Sequence, residues 1–162
     1  MKSGIWGRML IGIAALCLVA SAASAAGKDA LAGEWDLDAA KSSVSGMTAF
    51  KSGHVSVSST KNGYKGVVDL APASGAAVHY EYAAMYDGSS TPVTGNTYFD
   101  SATVGRVDRN TTIRTERRGG KVVGVTTIEV AKDGKTFTSS SKGTLPDGKQ
   151  FSRTLSWKRV KK

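Results

Sequence analysis

The sequence holds one cysteine, two histidines and three prolines in 162 residues. Cys17 lies inside the only long apolar run, at the extreme N-terminus. One thiol makes no internal disulfide, so disulfide stapling and multi-thiolate metal sites are excluded. A single apolar run excludes a multi-pass membrane protein. Sustained heptads and helical stripes are absent, which argues against a coiled coil or helix bundle. No His-Glu-x-x-His spacing, Gly-x-Ser-x-Gly elbow, phosphate loop or dinucleotide fingerprint occurs. His79 and Glu81 share one face of a strand and would reach a metal only if His54 joined them. Solvent-facing polar residues are the simpler reading of that pair. The residues name no catalytic group, no metal ligand and no cofactor, and the expectation is a protein that is not an enzyme.

What is present begins with an export signal. Lys2 and Arg8 give a positive start and precede an apolar stretch from Met9 to Ala20, followed by small residues. Ala23-Ser24-Ala25 has the small-x-small form of a cleavage site, which puts the cut before Ala26. The apolar run spans about twelve residues, short of the ~20 of a membrane-spanning helix. Residues 1–25 are therefore expected as a cleaved signal peptide and 26–162 as one domain, periplasmic or secreted. The mature chain loses its only cysteine and carries a net charge of +7. It is long enough to build its own core.

The mature chain reads as a meander of strands. Turn signals recur at Lys61-Asn62-Gly63, Asp87-Gly88, Arg109-Asn110, Gly119-Gly120, Asp133-Gly134 and Pro146-Asp147-Gly148. Such pairs supply the positive φ angles of tight hairpins. Between them lie stretches rich in Val, Thr, Tyr and Phe. Strands are expected near 33–38, 54–59, 64–71, 77–86, 102–108, 111–118, 121–131, 135–144 and 150–160, with a short piece near 91–93. Alternation supports them. Val78, Tyr80, Tyr82, Ala84 and Tyr86 share one face, as do Phe151, Arg153, Leu155, Trp157 and Arg159. Eight to ten hairpin-linked strands leave two exposed edges unless the sheet closes. The fold class is therefore all-β, a single antiparallel up-and-down barrel; an open sandwich is the alternative. Ala39 to Phe50 reads as a short helix or a loop crossing one barrel mouth. Gly88 to Asp100 reads as a long loop.

Leu31-Ala32-Gly33-Glu34-Trp35-Asp36-Leu37 opens the domain. Gly-x-Trp at the first strand of such a meander resembles the calycin group: lipocalins, fatty-acid-binding proteins, avidins and a secreted bacterial protease inhibitor. Further pieces, Tyr86-Asp87-Gly88, Pro92-Val93-Thr94-Gly95 and Lys132-Asp133-Gly134-Lys135-Thr136, resemble small secreted bacterial lipocalin-like proteins over nearly the whole mature chain. The resemblance implies that Gly33 and Trp35 form a structural signature at the closed end. A late-strand cation would lie across the Trp35 ring, Arg153 first and Arg159 second. The chain lacks the Thr-Asp-Tyr motif and disulfide of lipocalins, so a typical lipocalin cavity is not implied.

Two features carry the functional expectations. Tyr80, Tyr82, Phe137, Phe151, Leu155 and Trp157 would line the interior and suit a small apolar or amphipathic ligand. Charge is lopsided: residues 26–105 carry −3 and residues 106–162 carry +10. Arg106, Arg109, Arg114, Arg117, Arg118 and Lys121 would form a basic patch. Its partner would be an anionic envelope component or an acidic protein, not nucleic acid. A protein-binding module such as a protease inhibitor, presenting Asp38 to Phe50, is the alternative to the carrier.

Overall fold

A computed structural model describes residues 29–161. The expected leader and its cleavage site lie outside the described residues. Turn chemistry sets the topology. Gly119 and Gly120 take φ angles of 55° and 79° between the paired Arg118 and Lys121. Two consecutive left-handed residues give the tight hairpin whose twist matches antiparallel strands.

Among the described residues ten strands result: β1 (Gly33–Ser45), β2 (Phe50–Thr60), β3 (Gly63–Pro72), β4 (Val78–Met85), β5 (Thr91–Thr94), β6 (Ser101–Arg106), β7 (Thr111–Arg118), β8 (Lys121–Val130), β9 (Thr136–Thr144) and β10 (Gln150–Arg159). Each pairs antiparallel with the next, and β10 returns to pair with β1. The sheet is a closed up-and-down barrel, the all-β class expected from the sequence. Among the described residues no helix is long and apolar enough to cross a membrane.

One expectation is corrected. Ala39 to Phe50 is neither helix nor mouth-crossing loop, because β1 runs on to Ser45. Pairing with β10 jumps from Asp38↔Ser156 to Ser43↔Thr154, so the intervening residues bulge outward. Ser42 closes the bulge: its hydroxyl donates to the Asp38 carbonyl at 2.8 Å and accepts the Ser156 N–H at 3.0 Å. The short piece expected near 91–93 is β5, Thr91–Thr94, which bridges β4 to β6 and completes the wall.

The core fills the barrel with the inward faces of the strands, among them Trp35, Val55, Tyr64, Val68, Tyr80, Tyr82, Phe137, Leu155 and Trp157. Residues Asp29 to Ala32 stopper one end, and Leu31 is buried there. The Trp35 indole N–H donates to the Leu31 carbonyl at 2.8 Å. The cation across Trp35 is Arg159, not Arg153, with its guanidinium 3.9 Å from the ring centroid. Register decides this: Trp35 pairs directly with Arg159, while Arg153 pairs with Val44 beyond the bulge. Arg159 also donates to the carbonyls of Gly134, Ala32 and Ala30 at 2.6, 2.7 and 2.9 Å. Gly33 is required beside it, since a Cβ there would stand 2.2 Å from Arg159 Nη1.

Arg159→Met is expected to lower stability by about 2 kcal/mol, from the lost cation–π contact and carbonyl hydrogen bonds. Arg153→Met should cost less than half as much. Urea unfolding of both variants checks the assignment, and equal losses would contradict it.

Candidate functional site

Strand β7 is built inside out. Its apolar Ile113 faces solvent at 38% exposure, while Thr112, Arg114 and Glu116 face the interior. Arg114 and Glu116 are two residues apart, so a period of two puts both on one face. Their side chains are only 5% and 3% exposed. Arg114 donates through Nη2 and Nε to Glu116 Oε1, at 2.7 and 3.0 Å. Thr126 of β8 donates to the same oxygen at 2.9 Å. With its proton committed, Thr126 must accept from Ser141 of β9, 2.8 Å away. Ser141 in turn faces Arg153 Nε across a long 3.4 Å. A one-way chain therefore runs from Arg153 through two hydroxyls to Glu116. Burial works to raise the Glu116 pKa, but the charge of Arg114, then that of Arg153, outweighs it and holds the carboxyl below its usual value. The Arg114 guanidinium also lies 5.1 Å from the Tyr82 ring and 5.5 Å from Phe99.

The two arginines are held differently. Arg114 is ion-paired, whereas Arg153 forms no ion pair among the described residues. Arg153 lies 5.8 Å from the Phe50 ring and 5.9 Å from Phe151. It lines two small cavities at once. The inner one, of about 40 Å³, is bounded by Tyr80, Tyr82, Phe137, Leu155 and Trp157, five of the residues expected there. Phe151, the sixth, instead borders an outer cavity of about 20 Å³ toward the open end, with Met47, Phe50, Tyr98 and Phe99. Leu70, Tyr80 and Arg153 belong to both. At 10–15 Å³ per water, the inner space holds about three waters. The barrel is close to filled, and any larger guest must displace side chains.

The expected basic patch does not form as one surface. Arg114 is buried, for the reason just given. Arg106 and Arg109 lie at the stoppered end, and Arg117, Arg118 and Lys121 lie at the other end of β7. Eight extended residues separate the groups by roughly 27 Å. Arg106 is also engaged, donating to Asp29 at 2.6 Å with its guanidinium 3.8 Å from the Tyr86 ring.

The histidines stand on the outer wall. The register aligns Asp36, His54, Asp69 and His79 across β1 to β4. His54 meets Asp36 at 2.7 Å through Nδ1 and Glu34 at 2.9 Å through Nε2. His79 meets Asp69 at 2.7 Å and Glu81 at 3.6 Å. Carboxylates only accept, so satisfying both ring nitrogens takes the imidazolium. The hydrogen bond to Asp36 raises the His54 pKa above its usual value, against partial desolvation, and Glu34 adds to the rise. His79 is raised the same way, chiefly by Asp69.

No protein-family model matches the chain, and no curated protein matches it. Among solved structures the chain is similar to zebrafish ileal bile acid-binding protein, solved in complex with cholic acid. That likeness has 10% identity and a TM-score of 0.48, and covers 81% of this chain and 99% of the other.

Two predictions follow from the charges. Glu116→Gln strands Arg114 in the core and should cost about 3–5 kcal/mol, while Arg114→Met with Glu116→Leu should recover most of that loss. Thermal unfolding compares them, and a double variant no more stable than the single would contradict the pairing. For the histidines the pKa is raised on folding, so their contribution is complete below the unfolded value of 6.5 and disappears as pH rises through the folded value. The urea midpoint should therefore fall as pH rises from about 6.5, and the double change His54→Gln, His79→Gln should flatten that slope. A slope that survives in the double variant would place its origin elsewhere.

Proposed function

We propose that the protein is a non-catalytic, exported barrel that binds a small amphipathic acid in its interior. The observation that carries this reading is Arg153, an inward-facing guanidinium with no carboxylate partner, placed between two aromatic-lined cavities. A half-buried cation without a counter-charge is an electrostatic vacancy for an anion. The aromatic and aliphatic walls around it suit the apolar part of the same molecule. Arg114 is already committed to Glu116, so the interior carries one uncommitted positive charge and suits a monoanion.

The small volume limits the guest to a short-chain or single-ring acid. Entry is from the open end, past Phe50 and Phe151. Arg153 is the side chain that must yield, and its one long hydrogen bond to Ser141 holds it weakly.

Tryptophan fluorescence tests the reading, because Trp157 lines the inner cavity. The exported protein is titrated with short alkyl and aryl carboxylates and with the matching alcohols. The acids should bind at least tenfold more tightly than the alcohols, and Arg153→Met should erase that preference while leaving the fold intact. Failure of every acid to perturb the fluorescence, or a preference that survives Arg153→Met, would refute the proposal.

A further inference from the structure

The stoppered end of the barrel combines uncompensated cations with exposed aliphatic side chains. Asp29, Asp87, Asp108 and Asp133 at this end already accept hydrogen bonds, and Glu129 on the outer wall forms no ion pair among the described residues. Asp29 accepts from Tyr86 and Arg106. Asp87, Asp108 and Asp133 each accept a backbone N–H of their own turn, from Ser89, Asn110 and Lys135 respectively. Lys61, Arg109, Lys132, Lys135 and Lys161 form no ion pair among the described residues. Arg159 donates only to neutral carbonyls, so its charge also goes unbalanced.

An open groove of about 750 Å³ crosses this end, where Arg109, Lys132, Lys135 and Arg159 outnumber the two lining carboxylates, Asp29 and Asp133. Val107, on the turn after β6, is 61% exposed, and Val160, just after β10, is 37% exposed. At the opposite end Lys149, Arg117 and Arg118 are held by neighbouring groups, while Lys51, Lys121 and Lys142 form no ion pair among the described residues. Lys149 pairs with Asp147, Arg117 donates to the Thr103 hydroxyl, and Arg118 donates to the Thr97 carbonyl.

We propose that the stoppered end docks on an anionic lipid bilayer. The cations are spread over several separate turns rather than converging on one point. That distribution fits a surface of laterally mobile headgroups better than a single bound anion. Cations near an anionic surface act additively, and exposed aliphatic side chains among them add shallow apolar insertion. Docking this way leaves the open end pointing into the aqueous phase.

Vesicle co-sedimentation tests the proposal on the exported, processed chain. Vesicles of phosphatidylcholine containing phosphatidylglycerol are compared with phosphatidylcholine alone. The protein should sediment only with the anionic vesicles and should be released by salt. Lys132→Gln with Lys135→Gln should weaken partitioning about 25-fold, at roughly fivefold per charge removed. Val107→Asp should weaken it as well. Arg117→Gln with Arg118→Gln, at the other end, should change it less than fivefold. A protein that stays in the supernatant, binds both vesicle types equally, or loses binding mainly through the Arg117 and Arg118 changes would overturn the proposal. Unchanged urea midpoints for the variants separate lost docking from lost folding.

Discussion

Arg159 is committed to three backbone carbonyls and one indole face, and the geometry of the barrel follows from that commitment. The guanidinium reaches the carbonyls of Ala30 and Ala32 before β1, Gly134 between β8 and β9, and the Trp35 ring on β1. One side chain near the end of the last strand thus ties together the entry segment, the first strand and a late turn. It fixes the register of the β1–β10 seam, and that seam is what converts a meander into a closed barrel. Gly33 follows from the same constraint, because a side chain there would collide with the guanidinium. With this end stoppered, access to the interior is left to the other.

The architecture was legible because hairpin chemistry and alternation both act locally. Gly119-Gly120 specifies its turn without reference to the rest of the chain, and the stripe from Val78 to Tyr86 specifies its face. What escaped depends on register between distant strands. The choice between Arg153 and Arg159 turns on a bulge whose size is set by Ser42 hydrogen bonding to Asp38 and Ser156. The sequence Ala39-Ala40-Lys41-Ser42 contains no visible sign of that role. The row of Asp36, His54, Asp69 and His79 is likewise invisible until four strands are aligned.

The interior network escaped for a different reason. A strand carrying Thr112, Arg114 and Glu116 on one face and Ile113 on the other reads as polar-out, since charges favour water. The structure inverts it. The one available signal was the pair itself: opposite charges two residues apart on a strand can satisfy each other while both point inward. Counting every arginine of that stretch toward a surface patch overlooked this option, and it removed Arg114 from the surface charge and added it to the core.

That inversion shapes the interior's chemistry. A buried ion pair contributes little net stability compared with an apolar pair of similar volume, so stability alone is a weak reason for its presence. Its consequence is electrostatic. Glu116 takes three donors on one oxygen, and the chain of hydroxyls from Thr126 to Ser141 ends at Arg153. Each hydroxyl is oriented by the next, so the Ser141 oxygen presents a lone pair to Arg153 Nε and spends no donor of its own there. The chain therefore orients Arg153 without neutralising it. A carboxylate placed directly against Arg153 would have sealed the interior as an inert core. Two intervening hydroxyls leave the guanidinium positioned between aromatic walls with its charge still available, which is the arrangement an anionic guest requires.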